Sequence, residues 1–366
     1  MLDLLFSFFH LLVLTIKTFI SKFVFRPPDP QGYKPVINSK NPNQELVHFL
    51  RNIKLKKYEP IKFSPIEYFY KKIPDESHNA FIPILVIKPY HPFDICIIYS
   101  HGNSGDIGTC LLEAVSLSLN TYCCVVSYEY PGYGECKDIP LNEENVYYNI
   151  IKTYEYARDI LKFRPEHIVL YGFSLGTGIS FDLATRPNFP IAGLILQAPF
   201  LSILRTMYNI KQSKFFDFFC SIDKAKRIQC PVMIIHGIKD SIVPYVHGRI
   251  LAKLIPKQFM YEFVTVDGAD HNNVFKINKE LVYKKVRNFL ERVTNVNLKG
   301  EEGDDDNNNF SRSENKNNGA KCDNEEQNLN DIHLNIIGVK SPRMSSNLPT
   351  NCKKESEVEI KYQSEP

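Results

Sequence analysis

Tryptophan is missing from all 366 residues, so the aromatic part of any core must come from 20 tyrosines and 25 phenylalanines. None of the nine cysteines forms a Cys-x-x-Cys pair, and their number is odd. Cys96, Cys123 and Cys124 lie inside apolar, strand-like runs, which suits small buried thiols in a reducing compartment better than a disulfide framework. No metal-ligand spacing is present, and nothing calls for a metal or an organic cofactor. There is no arginine-rich stripe, no zinc-finger spacing and no aromatic platform for single strands, so no nucleic-acid partner is expected. No uninterrupted apolar run reaches the roughly 20 residues that a membrane-spanning helix needs.

What is there is ordinary globular material, 43% apolar and 23% charged, enough for one large domain or two small ones. The net charge of +3 hides a division. From Asn297 onward there are nine basic and fourteen acidic residues, about −5, while the body before it carries 35 and 27, about +8. Such a body suits an anionic membrane surface. The segment 297–366 is rich in Glu, Asp, Asn, Ser and Lys, cannot bury enough apolar area to offset ordering entropy, and is expected to be disordered.

At the other end, Leu2–Phe25 is strongly apolar, but Lys17 and Lys22 interrupt it. With no basic residues ahead of it and no small-residue cleavage site, a removed signal peptide is disfavoured. Residues 1–26 are read as a membrane-anchor helix, either spanning or lying on one face. A plain helix docked on the domain is the other reading. If it spans, Lys17, Lys22 and Arg26 on its C-terminal flank put the domain in the cytoplasm. Pro27-Pro28-Asp29-Pro30 stops the helix, and 27–60 reads as a Pro-punctuated lead-in with little regular structure.

From 61 to 296 the pattern becomes regular. Two strands, Ile66–Ile73 and Phe81–Lys88, precede an alternation of buried-strand runs at Asp94–Tyr99, Tyr122–Tyr128, His167–Tyr171, Ile191–Gln197, Val232–His236 and Phe259–Val266. Helical patterns lie near Gly108–Leu119, Glu143–Phe163, Leu175–Thr185, His247–Leu254 and Asn278–Val293. This predicts an α/β fold with a mostly parallel sheet covered on both faces.

The motifs select among such folds. Gly172-Phe173-Ser174-Leu175-Gly176 joins an apolar strand to a helical pattern. By average composition such a pentapeptide occurs about 0.1 times in a chain this long. In this setting it is a nucleophile elbow, whose sharp turn excludes side chains at the flanking positions and exposes Ser174. Upstream, the strand ending at Tyr99 runs into Ser100-His101-Gly102-Asn103-Ser104-Gly105. Backbone amides there are unhindered, so Asn103 and Leu175 are the candidate oxyanion donors. His101 precedes that turn and is read as packing. Acid and base should follow the serine in chain order. Asp240 lies just beyond the strand Val232–His236, and His271 follows the strand ending at Val266. Asp267 and Asp270 are weaker rivals for the acid, too near His271 in sequence to orient its ring. His236 is read as a strand-end packing residue. Between Pro199 and Ile222, a short cap with Tyr208, Phe215, Phe216, Phe218 and Phe219 either lines an acyl groove or packs in the core.

Together with Phe25-Arg26-Pro27-Pro28-Asp29-Pro30, Tyr128-Glu129-Tyr130-Pro131-Gly132-Tyr133-Gly134 and Gly268-Ala269-Asp270-His271-Asn272, these motifs resemble the ABHD17-type (FAM108) α/β-hydrolases over roughly residues 20–292. The resemblance implies the α/β-hydrolase fold and hydrolysis of thioester-linked acyl groups on membrane proteins, that is, protein S-depalmitoylation. In that family an N-terminal cysteine cluster is acylated and anchors the enzyme. Here no cysteine precedes Cys96, and Leu2–Phe25 takes the place of the lipid. The expected reaction is acyl transfer through Ser174 to water, on acylated membrane proteins or a lipid-like ester. A carboxylesterase or monoacylglycerol lipase, a serine aminopeptidase-like hydrolase and a catalytically silent membrane scaffold are the alternatives.

Overall fold

The computed structural model describes residues 15–17, 19–37, 45–52, 54–61, 65–90 and 93–298. Residues 15–24, apart from the undescribed 18, are helical and are called α1. Its end is docked. Phe25 is buried among the rings of Tyr133, Phe218 and Phe219, and Lys17 Nζ lies 3.5 Å from Glu143. Phe19 and Phe23 face outward, 63% and 62% exposed, with their rings 5.3 Å apart. The anchor's earlier part, Leu2–Leu14, falls outside the described residues, as does the tail from 299 onward. Among the described residues no helix is long and apolar enough to cross a membrane.

The lead-in departs from expectation. Instead of irregular chain, 27–60 contributes an antiparallel three-stranded sheet, β1 (Tyr33–Ile37), β2 (Glu45–Asn52) and β3 (Lys57–Glu59), with β2 in the middle. Its prolines obscure this. Pro35 lies in β1, an edge strand, where a missing N–H is tolerated. Tyr33, Val47 and Phe49 are buried. The Gly32 amide donates to Asp106 at 2.6 Å, and the Glu135 amide donates to the Tyr33 hydroxyl at 3.0 Å. These bonds tie the lead-in to the loops above the main sheet.

That sheet begins with the hairpin β4 (Ile66–Asp75) and β5 (Ala80–Pro89) and continues through β6 (Cys96–Ser100), β7 (Cys124–Tyr128), β8 (Ile168–Phe173), β9 (Gly193–Gln197), β10 (Val232–Gly237) and β11 (Met260–Val266). The spatial order is β11-β10-β9-β8-β6-β7-β5-β4. Strand β5 is antiparallel to both of its neighbours, and all pairings from β7 through β11 are parallel. Every residue of β6, β7, β9 and β10 is buried, as expected of strands covered on both faces. Successive side chains alternate between two cores. Ile97, Val125, Val169 and Met233 pack with Leu117 of α2 (Leu111–Thr121) and Phe289 of α9 (Lys279–Thr294). Ile98, Val126, Leu170 and Ile234 pack with Ile150 of α3 (Glu143–Glu155), Ile179 of α4 (Leu175–Ala184) and Leu251 of α7 (Val246–Leu254). The helix expected over 143–163 ends earlier, running from α3 into a π-helical turn at Tyr156–Ile160. Short helices α5 (Ile203–Met207) and α6 (Ser221–Lys224) bracket the cap, and α8 (Val274–Ile277) precedes α9.

Because α2 leaves β6 toward one face and α4 leaves β8 toward the other, the loops after these adjacent strands diverge. A crevice opens between them at the carboxyl edge, the place where open α/β sheets put their sites.

If the lead-in is a packed sheet, Phe49→Ala removes a fully buried ring and should lower the unfolding free energy by about 3 kcal/mol. Urea denaturation measures this, and no change would mean that the lead-in adds nothing to the core.

Candidate active site

The turn at Ser174 follows from two close approaches. A Cβ on Gly172 would overlap the carbonyl of Gly176 and sit 2.7 Å from the Thr177 Cα, and a Cβ on Gly176 would run into the Ser100 carbonyl and lie 2.9 Å from that of His101. Glycine at both positions therefore lets α4 begin hard against the end of β6. Between them Ser174 adopts φ 51° and ψ −117°, a left-handed backbone that is strained for any residue with a side chain. Three bonds hold it there. The Ser174 amide donates to the Gln197 carbonyl at 3.0 Å, and its own carbonyl accepts from the Thr177 amide at 2.9 Å and hydroxyl at 2.6 Å.

The side chain then meets the residues expected from downstream. Ser174 Oγ lies 2.9 Å from His271 Nε2, and His271 Nδ1 lies 2.7 Å from Asp240 Oδ2. These two bonds define one tautomer, with the serine hydroxyl donating to Nε2 and Nδ1–H donating to the carboxylate. The loops bearing acid and base are stitched together, since the Ile238 amide donates to Val266 at 3.1 Å and the Lys239 amide to Ala269 at 2.9 Å. Asp240 and His271 are buried, whereas Ser174 retains partial exposure. The Phe173 ring lies 5.3 Å from the His271 imidazole, and a Cβ on Gly102 would stand 3.1 Å from that same ring.

Asp240 is more heavily engaged than its place in the sequence suggests. Its Oδ1 accepts the amides of Ile242 at 2.9 Å and Val243 at 2.8 Å, and His236 Nε2 stands 3.4 Å from Oδ2. Burial pushes the carboxyl up, but His236, His271 and the Val243 amide outweigh it and hold Asp240 well below the usual carboxylate range. His236 therefore does more than pack, although its Nε2 also reaches the Val243 carbonyl at 2.8 Å. The rivals stay in their own loop. The Asp270 carboxylate accepts the amides of Asn272 and Asn273, and Asp267 that of Gly268.

His101 is fully buried behind the loop after β6, stacked on Tyr130 with centroids 3.9 Å apart. Its Nδ1 is 2.9 Å from the Gly102 carbonyl and its Nε2 is 3.3 Å from Glu129 Oε1. The Tyr130 hydroxyl donates to the His101 carbonyl at 2.7 Å. Burial raises the Glu129 carboxyl above its ordinary value. This pair props up the stretch that leads to Asn103, while Leu175 opens α4 on the opposite side of the crevice. No signal in the sequence pointed to the Asn103 carboxamide, which bonds to the chain at 24–26.

The cap divides in two. Phe218 and Phe219 are core residues, whereas Tyr208 and Phe215 are exposed at 61% and 54%. A buried pair at 3.5 Å, Arg205 with Asp217, holds the turn between them, and the Phe219 amide donates to Glu143 at 2.7 Å.

Comparison with known proteins bears on the family and on the fold. Residues 140–297 match the prolyl oligopeptidase family. Alpha/beta hydrolase domain-containing protein 17B of Xenopus laevis is 32% identical over 255 residues, 69% of this chain and 85% of that one. Protein 17C of Homo sapiens is 35% identical over 179 residues, 49% of this chain and 53% of that one. Among solved structures, the Pyrococcus furiosus esterase Pf2001 superposes with a TM-score of 0.52 at 17% identity, covering 63% of this chain and 96% of its own. The 2,6-dihydroxy-pseudo-oxynicotine hydrolase gives 0.52 at 16%, covering 64% and 70%. At such identities these two structures speak for the fold alone.

Two changes test the geometry. Gly176→Ala forces α4 off β6 and should cost about 3 kcal/mol or more in urea denaturation, the upper range for overpacking; an unchanged midpoint would mean that the approach is not tight. The depressed Asp240 carboxyl stabilises the fold fully above about pH 4, the ordinary carboxylate value, and that contribution drains away as pH falls further. Asp240→Asn should therefore lose less stability than the wild type between about pH 4 and pH 2, as followed by denaturant melts across that range. Parallel slopes would contradict it.

Proposed function

The chain belongs to the ABHD17 family of serine hydrolases, and within it we propose that this member cleaves acyl thioesters on membrane-bound proteins, a protein S-depalmitoylation, through an acyl-Ser174 intermediate. The observation that carries the acyl-Ser174 step is the unbroken chain from Ser174 Oγ through His271 to Asp240. His271 Nε2 takes the hydroxyl proton as Oγ attacks the acyl carbonyl, and the Nδ1–H bond to Asp240 stabilises the imidazolium that forms. The Asn103 and Leu175 amides receive the oxyanion, where losing one such donor typically costs on the order of 10² to 10³ in rate. His271 then returns the proton to the leaving thiolate. A second passage, with water in place of the thiol, releases the acid and restores Ser174.

A thiol with a pKa near 8.5 leaves more readily than an alcohol, so this machinery handles thioesters without further assistance. The preference for a protein-borne thioester rests on the family resemblance and on access. Ser174 is partly exposed and the cap is short, which suits a bulky substrate. Membrane attachment through Leu2–Phe25, with the catalytic domain on the cytoplasmic side, fits the outward pair Phe19 and Phe23 and the exposed Lys22 and Arg26 beside them. With all three side chains in bonding register, a silent scaffold is the weaker reading.

Ser174→Ala should abolish labelling by a fluorophosphonate probe, and Asp240→Asn should lower kcat by about 10⁴. Wild-type protein should deacylate an S-palmitoyl cysteine peptide in preference to a monoacylglycerol or an aminoacyl amide. Labelling that survives Ser174→Ala defeats the hydrolase reading, and preference for either comparator defeats the thioester assignment alone.

A further inference from the structure

The Asn103 side chain is not aimed at the crevice. Its Nδ2 donates to the Val24 carbonyl at 2.7 Å, and its Oδ1 accepts the Arg26 amide at 3.1 Å. The carboxamide thus treats residues 24–26 as a strand treats its neighbour, bonding to the groups on either side of Phe25. A third residue closes the arrangement. The Tyr133 hydroxyl donates to Asn103 Oδ1 at 2.7 Å and accepts the Arg26 amide at 2.9 Å. Between these bonds the Phe25 ring is buried against Tyr133, Phe218 and Phe219.

These contacts have a common geometric effect. Asn103 follows Gly102, where a Cβ would stand 3.1 Å from the Phe173 ring, so the loop backbone lies close to the elbow at this point. A side chain bonded at both ends fixes the χ angles of its residue and the place of its Cα, which narrows the range over which the adjoining peptide can turn. The amide of Asn103 therefore points where the clasp with residues 24–26 directs it. Val24 ends α1 and Arg26 follows two residues later, 79 and 77 positions from Asn103 in sequence. A segment that would otherwise be only a tether thus holds the side chain of a candidate oxyanion donor.

We propose that residues 24–26, gripped by the Asn103 carboxamide and Tyr133, form a positioning element for the oxyanion hole, so that catalysis by this chain requires the end of α1 to be docked. This rests on the assignment of the Asn103 amide as an oxyanion donor. Asn103 contributes its backbone to the reaction and its side chain to the placement of that backbone.

The test uses the full chain and a soluble short-chain thioester that needs no membrane. Asn103→Ala retains the backbone amide and loses the clasp. It should lower kcat roughly 10- to 100-fold, the scale of a displaced catalytic group, with KM changed less than twofold. Affinity for a trifluoromethyl ketone, whose Ser174 adduct carries an oxyanion, should fall by the same factor, a response that loss of folding stability alone does not produce. Asn103→Asp, equal in shape but opposing a carboxylate oxygen to the Val24 carbonyl, should behave alike. Tyr133→Phe should show a smaller loss by itself and add less than twofold in the Asn103→Ala background, because both act through one arrangement. A normal kcat and ketone affinity in Asn103→Ala, with Ser174→Ala inactive, overturns the positioning role and leaves the hydrolase reading standing. Undiminished turnover in Ser174→Ala overturns both.

Discussion

The site depends on one close contact, that of the backbone at Gly176 with the carbonyls that end β6. Because α4 starts against that strand end, the elbow and the loop after β6 are held close on either side of the crevice, and a residue with any side chain at 176 would push them apart. The Ser180 hydroxyl donates to Ser100 Oγ at 2.9 Å, which in turn bonds to the Tyr128 hydroxyl at 2.8 Å, so helix and strand are also joined beneath the contact. The strain at Ser174 is borne by this packing and by three hydrogen bonds, and by no feature of the serine itself.

What could be read from the sequence was whatever is local or has a short period. The doubly buried strands appear as apolar runs, the elbow as a glycine-flanked serine after such a run, and Asp240 and His271 as polar residues just past strand ends. Their order along the chain was enough to bring them together on one edge. What could not be read was pairing at long range. The carboxamide of Asn103 looks like any polar loop residue until residues 24–26 arrive beside it. His236 faces Asp240 because a turn brings it back. The strands of 27–60 were hidden for another reason, since a proline on an edge strand, here Pro35, resembles a breaker when its position in the sheet is unknown. The cap aromatics split between core and surface because a run of phenylalanines has no period from which burial can be inferred.

The N-terminal part of the chain links these observations. Phe25 enters the same cluster as Phe218 and Phe219 of the cap, and Glu143 at the start of α3 holds both the Phe219 amide and Lys17. Helix, cap and the loop after β6 thus share a set of neighbours, so displacing one alters the packing of the other two. Meanwhile the other face of α1 leaves two phenylalanine rings in contact with solvent.

Four loops from four different strands supply the site: Asn103 after β6, Ser174 after β8, Asp240 after β10 and His271 after β11. Serine and histidine are 97 positions apart, and no pair of neighbouring hairpins contains both. Contacts of such separation are late and costly to form, and a sheet whose parallel strands need helical crossovers cannot offer half of them. No fragment of this domain can therefore carry a working fraction of the site. Turnover becomes a stricter witness of the native state than helix content or tyrosine fluorescence, because it is extinguished as soon as any one of the four strands leaves the sheet.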